Sequence, residues 1–501
     1  MFEEKYKKLN PEQRKAVDSI DGPVMVIAGP GTGKTTILTL RIAQILQKTD
    51  TPAHGILAIT YTDAGVKAMR DKLSEVIGER AHDVYIHTFH SFASAMISEY
   101  TDHFIGLRDM RQMTDVEKES LLRTVISEPQ FSKLRPIGRP DAYLPAISRA
   151  ITDAKKEALT PDMVAKHASE EIKKLKSDKF NLSKQGKSKG WLRADVLEKL
   201  DKLERTILFS KVYGRYEELK NEERLRDYDD LIISLLVTLE KDELLLRLIQ
   251  ERFLYLLVDE HQDTNDSQNF IISLIAQFFE TPNIFIVGDE KQAIYRFQGA
   301  SVENFLLLRK RWPKMKVISL ETNYRSHQRI LDASFSMIEK NYEPGEHDDL
   351  RVKLKSGGKV KPKLLDVISA EKTEAMEDYL CRAVGEISKK EPNATVAIIT
   401  RRNRELEKVL AIFESKGIPV SSERSVDIFH HPLGAAFFDL LQYLVEPSRL
   451  DLLANTFVSG MWGLSFGQAV EFIREMRAGK VSDIEKKLPA LSKINQRIFR
   501  N

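Results

Sequence analysis

Six apolar runs stand out against a polar background: VMVIA (24–28), ILAIT (56–60), VYIHT (84–88), LYLLV (254–258), NIFIV (283–287) and KVISL (316–320). Each is followed by a turn or a helix-like segment, the pattern of a parallel sheet covered by helices on both faces. The interval between the third and fourth runs is far too long for one crossover. Its text is helix-like, as in DMVAKHASEEIKKLK and RADVLEKLDKLERTILFSKVYGRYEELK. Residues 101–222 are therefore expected to form a helical insertion into a first α/β domain made of 1–100 and 223–318. Pro and Gly punctuate 342–363, a surface loop or hairpin. A second α/β signal follows in PKLLDVI (362–368) and TVAIIT (395–400), so 319–425 is expected to be a second, incomplete α/β domain. From 426 to 501 the pattern is helical again, and no Gly, Pro or cap residue closes it, as if the segment were cut.

The size, 501 residues, calls for several domains, and 42% hydrophobic with 30% charged residues is an ordinary globular balance. A net charge of +3 is too slight to name a partner, so any basic patch must be local. The single cysteine, Cys381, excludes an internal disulfide and suits a reducing cytoplasm. MFEEKYKKLN has no apolar core of a secretory signal, and the longest uncharged run, 452–470, is too polar to span a bilayer. These features point to a cytoplasmic protein with no membrane partner.

Candidate chemistry begins at VMVIAGPGTGKTTIL (24–38), a buried strand, a Gly-rich turn and a helix start. Glycines 29, 31 and 33 let backbone N–H groups curl around phosphate oxygens. The helix start adds its dipole, Lys34 reaches the β/γ-phosphates, and Thr35 ligates Mg²⁺. Ala28, Gly29, Pro30, Gly31, Thr32, Gly33, Lys34, Thr35 and Thr36 are thus expected to line ATP.

The stretch LYLLVDEHQDTN (254–265) admits two readings: a metal site of His and carboxylates, or the acidic edge of the nucleotide site. His261 has no His or Cys partner at ligand spacing, which disfavours the first. Under the second, Asp259 serves the phosphate-bound Mg²⁺ and Glu260 activates the attacking water. A basic stretch at 173–193, with Phe180 and Trp191 interleaved among eight cations, suits nucleic acid or a solvated loop almost equally.

With these residues placed, the chain resembles the UvrD/Rep group of superfamily 1 DNA helicases, through motifs in order over 9–330. LNPEQRKAV (9–17) is similar to the Q motif, which implies Gln13 on adenine; a helix N-cap is the local alternative. AITYTDAGVKAMRDKL (58–73) and HTFHSF (87–92) resemble motifs that line the single-strand track, implying Tyr61, Thr88, Phe89 and His90 as DNA contacts, although Phe89 suits a core position equally well. VDEHQDTN matches the family's acidic box. IVGDEKQAIYRFQGA (286–300) resembles motif III, implying that Gln292 senses the γ-phosphate while Tyr295 and Phe297 stack on bases. LETNYRS (320–326) resembles motif IV, implying Tyr324 on adenine and Arg325 on the γ-phosphate across a cleft.

The resemblance implies two RecA-like domains, the second incomplete, each with a helical insertion, the second of which is only begun in 426–501. It also implies ATP and Mg²⁺ as cofactors, single-stranded DNA and duplex junctions as partners, and 3′-to-5′ movement.

Several positions depart from the family pattern. Thr36 and Gln298 replace arginines, and Asp63 and Ala64 replace Asn-Lys. Motifs V and VI are not found. A DNA-binding ATP switch that does not unwind, a chain completed by a partner, and a subunit of a helicase–nuclease assembly are the competing readings.

Overall fold

The structure, a computed structural model, describes residues 1–138, 140–178, 181–182, 192–293, 302–342, 351–358, 365–422 and 432–478. It divides into two compact units, Met1–Leu365 and Asp366–Asn501.

In the first unit, β1 (Val24–Ala28), β2 (Ile56–Thr60) and β3 (Tyr85–Thr88) precede two short strands, β4 (Arg111–Gln112) and β5 (Leu225–Arg226), which pair with each other. Then come β6 (Tyr255–Val258), β7 (Ile284–Gly288) and β8 (Lys316–Leu320). The central sheet runs β3-β2-β6-β7-β1-β8, and every pairing in it is parallel. Val26 sits opposite Val287 on one side and Ile318 on the other, which fixes β1 between its neighbours. The six apolar runs are these six strands.

Alternation along each strand divides the core into two layers. Val24, Val26 and Ala28 pack with α1 (Phe2–Lys7), α2 (Pro11–Asp18), α3 (Lys34–Lys48) and α4 (Asp63–Ile77). Met25, Ile59, Val258 and Ile286 face α5 (Phe89–Glu99) and helices from later in the chain. Between these halves stand α6 (Asp115–Ser127), α7 (Leu144–Lys156), α8 (Pro161–Ser177) and α9 (Ala194–Glu222). Of these, α6, α7 and α9 enclose a separate core around Val125, Phe131, Ile151, Val212 and Tyr216, and α8 packs along α9. The chain returns through α10 (Asp230–Lys241), α11 (Glu243–Arg252) and α12 (Asp266–Ala276), then α13 (Val302–Arg311). Short strands β9 (Thr322–Asn323) and β10 (Lys355–Ser356) pair parallel on either side of α14 (Gln328–Ile338), so the described part of the expected 342–363 loop contributes a strand and not a hairpin.

The second unit contains α15 (Thr373–Lys390), α16 (Asn403–Ser415), α17 (Pro432–Val445), α18 (Leu450–Val458) and α19 (Phe466–Arg477). The last three share a small core of Leu440, Leu453, Phe457 and Phe472. Of the strands expected in 362–368 and 395–400, residues 362–364 lie outside the described residues, whereas 365–368 and 395–400 have no strand pairing, and Val367 and Ile399 are 94% and 93% exposed. A parallel strand needs ladder neighbours and helices over both faces, and these runs have neither among the described residues. Also among the described residues, no helix is long and apolar enough to cross a membrane.

Candidate ATP and single-strand sites

The glycine turn joins the end of β1 to the start of α3, as its strand–turn–helix text requires. Gly31 and Gly33 adopt φ of +68° and +92°, a region open to glycine at little cost. Gln13 lies beneath the turn, buried, and its Nε2 donates to the Thr32 carbonyl at 2.8 Å. Its Oε1 accepts the Asn10 amide at 3.1 Å, while Asn10 Oδ1 accepts the Gln13 amide at 2.8 Å, a capping box that opens α2. Both ends of the Gln13 amide are therefore engaged, and each keeps one further hydrogen-bonding position.

The 323–325 segment lies on the other side of the turn. Asn323, fully buried, donates from Nδ2 to the Pro30 carbonyl, and the Tyr324 amide donates to the Gly31 carbonyl at 2.9 Å. The Tyr324 hydroxyl accepts from Asn10 Nδ2 at 3.1 Å, and its ring remains exposed. A Cβ at Gly31 would come within 2.7 Å of the Arg325 Cβ, so Arg325 stands directly over the phosphate turn. Ala28, Gly29, Thr35, Thr36 and Lys34 thus share one locus with Gln13, Tyr324 and Arg325.

The acidic edge meets this locus at Lys34, whose Nζ lies 2.7 Å from Glu260 Oε2. Glu260 has φ +48°, unusual for a residue with a side chain, and this turns it out of β6 toward the lysine. Glu260 Oε2 also accepts from Gln262 Nε2 at 2.7 Å. Gln262 Oε1 in turn accepts the Asp289 amide at 3.0 Å, and Asp289 Oδ2 accepts from Gln292 Nε2 at 2.8 Å. A continuous hydrogen-bonded chain therefore runs from Lys34 to Gln292. Burial, reinforced by the Glu260 charge, pushes the Asp259 carboxyl up to about 7, and the same causes push Asp263 up to about 6. Asp263 Oδ1 is buried with no hydrogen-bond partner among the described residues.

Three carboxylates thus face one lysine. Hard oxygen donors with excess negative charge suit Mg²⁺, so Asp259 and Thr35 fit the ion the sequence implies. His261 is fully buried and lies 2.9 Å from Asn269 Oδ1, and burial lowers its pKa to about 4. It serves packing here.

A cavity of about 460 Å³ opens beside the acidic edge. Tyr61, Thr88 and His90 line it together with Asp263 and Asn265 from the far end of the acidic box. Phe89 also borders it, but the residue is only 4% exposed and its ring packs in the core, so it backs the wall instead of offering a face to a base. Thr88 caps α5, accepting the Ser91 amide at 3.2 Å. The His90 ring stacks on Tyr228, with centroids 4.0 Å apart and planes 20° off parallel. Burial, with Lys156 adding to it, lowers the His90 pKa to about 4, against an opposing pull from Asp63. Tyr228 and Lys156 were not foreseen from the sequence. The available signal was the Asp-Tyr-Asp-Asp run (227–230) ahead of an apolar helix.

Tyr295 and Phe297 lie outside the described residues, as do Gln298 and the centre of the 173–193 basic stretch. The described end of that stretch, with Lys173, Lys174 and Lys176, belongs to the last turns of α8.

A parallel sheet with a glycine phosphate turn at the end of one strand and an acidic pair at the end of another defines a P-loop NTPase domain. The family comparison is more specific. Residues 9–313 match the UvrD/REP helicase N-terminal domain, and residues 318–454 match the UvrD-like helicase C-terminal domain. The chain belongs to the UvrD/Rep helicase family. It is similar to ATP-dependent DNA helicases PcrA: 30% identical over 337 residues to that of Staphylococcus epidermidis and 31% over 334 residues to that of Bacillus subtilis. The PcrA of Staphylococcus aureus is 29% identical over 335 residues. These alignments cover 67%, 66% and 67% of this chain but only 41%, 40% and 40% of the relatives. The chain therefore spans about two fifths of the length of the curated relatives it matches.

Proposed function

We propose that the chain is an ATP-driven motor on single-stranded DNA, a 3′-to-5′ helicase or translocase that acts at duplex junctions in the cytoplasm. One observation carries this reading. The segment 259–265 reaches the phosphate-binding lysine through Glu260 and lines the cavity through Asp263 and Asn265. A change at one ligand can therefore bias the other through a shared, short element.

In this mechanism the triphosphate enters the glycine turn and draws Lys34 from Glu260 to its β/γ-oxygens. Glu260, freed from the lysine, accepts the proton of the attacking water. Asp259 and Thr35 would hold Mg²⁺, which would neutralise charge on the phosphates. Tyr324 and Gln13 face the adenine, Arg325 the γ-phosphate, and Gln292 reads its presence at the end of the hydrogen-bonded chain. Tyr61, Thr88 and His90, with Tyr295 and Phe297, hold the strand. The 3′-to-5′ direction is carried by the family resemblance.

The test is ATP hydrolysis with and without an oligothymidylate, in the parent and in Glu260→Gln. Stimulation by DNA, and a loss of about 10²–10⁴-fold in the variant with ATP binding retained, are expected. A rate indifferent to both DNA and Glu260 refutes the reading. A non-unwinding ATP switch makes the same contacts. Unwinding of a 3′-tailed duplex separates the two, and a partner chain that restores unwinding would reveal a split helicase.

A further inference from the structure

The four-helix insertion meets the sheet domain through a buried charge cluster that ATP chemistry does not use. Lys155, at the end of α7, is 3% exposed, and its Nζ lies 2.6 Å from Asp227, 2.7 Å from Asp230 and 2.9 Å from Glu217. Lys220 on α9 lies 2.8 Å from Asp230 and 2.5 Å from Glu217. Tyr216 donates its hydroxyl to Asp227 Oδ2 at 3.1 Å. The three carboxylates are close enough to suggest a cation site, but the two ammonium groups already fill it. Burial opposes the charge on Lys155, and its three acidic neighbours outweigh that and hold it protonated.

Two of these carboxylates also shape the backbone. The Asp227 amide donates to Asp230 Oδ2 at 2.7 Å, and the Asp230 amide to Asp227 Oδ1 at 3.1 Å. They close the four-residue turn that opens α10, and that turn carries Tyr228 onto His90 at the cavity wall. The insertion thus grips the same side chains that set the position of an aromatic wall. Such a cluster is a poor source of net stability, because desolvation of buried ions offsets much of their attraction. Fixing a geometry is the better-attested use.

We propose that Lys155 is a positioning residue for the single-strand cavity: by holding Asp227 and Asp230 it seats the Tyr228–His90 stack, so the docking of the helical insertion sets the shape of the site. This rests on the reading of the cavity as a DNA site given above.

The test uses the full chain with Lys155→Met, the charge-balanced Lys155→Met/Asp227→Asn, Tyr228→Ala and Tyr228→Phe. The first readout needs no DNA: the His90 imidazole titration by NMR. In Lys155→Met, the charge-balanced pair and Tyr228→Ala it should move from its depressed position toward the ordinary histidine range, whereas Tyr228→Phe should leave it in place. The second readout is binding of a fluorescent oligothymidylate of about 16 nucleotides. Tyr228→Ala and Lys155→Met should each weaken it about tenfold, the scale of one lost stacking contact. Combining them should weaken it no further, because both act through one stack.

An unchanged His90 titration in Lys155→Met and in the charge-balanced pair overturns the proposal, as does a loss that adds fully to that of Tyr228→Ala. If the parent fails to bind the oligothymidylate, the DNA assignment of the cavity is overturned, and the proposal with it as regards DNA. The His90 titration still decides separately whether Lys155 positions the stack.

Discussion

Replacing Gln262 by Met tests whether the acidic edge and the Asp289 turn are mechanically joined. Gln262 is 2% exposed and spans the gap between them with two bonds, a 2.7 Å donation to Glu260 and a 3.0 Å acceptance from the Asp289 amide. Methionine has nearly the same shape, so little cavity term enters. The bond to the Glu260 carboxylate is charge-assisted and worth about 1.5–3 kcal/mol, and leaving the Asp289 amide unpaired in a buried setting costs about 1–3 kcal/mol. A destabilisation of about 3–5 kcal/mol is therefore expected in urea unfolding, with loss of DNA-stimulated hydrolysis. Gln262→Glu should be worse, since it keeps the shape but offers an acceptor where a donor must face Glu260. A Gln262→Met chain within about 1 kcal/mol of the parent that still responds to DNA refutes the reasoning, because the two bonds would then be incidental.

Three further outcomes follow from the same geometry. Gly31→Ala should cost at least about 1–2 kcal/mol for the left-handed backbone alone, and displacing Arg325 and Asn323 should also weaken ATP binding, measured by calorimetry. Chelating Mg²⁺, or the variant Asp259→Asn, should cut hydrolysis by about a hundredfold or more while fluorescent-nucleotide binding persists, because the role proposed for the carboxylate is to hold the metal and not to act as base. Burial keeps His90 neutral, so the unfolded chain takes up its proton first as pH falls. The stability it contributes is complete above about 6.5 and is lost as pH falls toward about 4. Thermal melts of His90→Gln should therefore show a shallower acid dependence than the parent.

The sheet was legible because its strands are covered on both faces, so their text is continuously apolar, as in VMVIA and ILAIT. The phosphate turn was legible for a related reason, since its conformation demands glycine at 31 and 33 and its chemistry demands Lys34. Local text misled at TVAIIT, where strand propensity exists without a ladder to join. It was ambiguous at Phe89, because an aromatic at a strand end suits a core or a base equally, and packing placed it in the core. The contacts of Lys155 with Asp227, and of Asn323 with Pro30, join residues far apart in the chain, and no local pattern announces them. Gln13 shows a subtler limit, since its capping role was visible in the text and its bond to Thr32 was not.

On the function proposed above, the ATP site and the single-strand cavity bias one another through 259–265. The most direct measurement is oligothymidylate affinity with and without a non-hydrolysable ATP analogue, paired with affinity for that analogue with and without the oligothymidylate. Both affinities should change, and by the same factor, as thermodynamic linkage requires. Two tight but mutually indifferent affinities would contradict it: ATP and DNA would then occupy separate sites on one scaffold, and the chain from Lys34 to Gln292 would carry no signal.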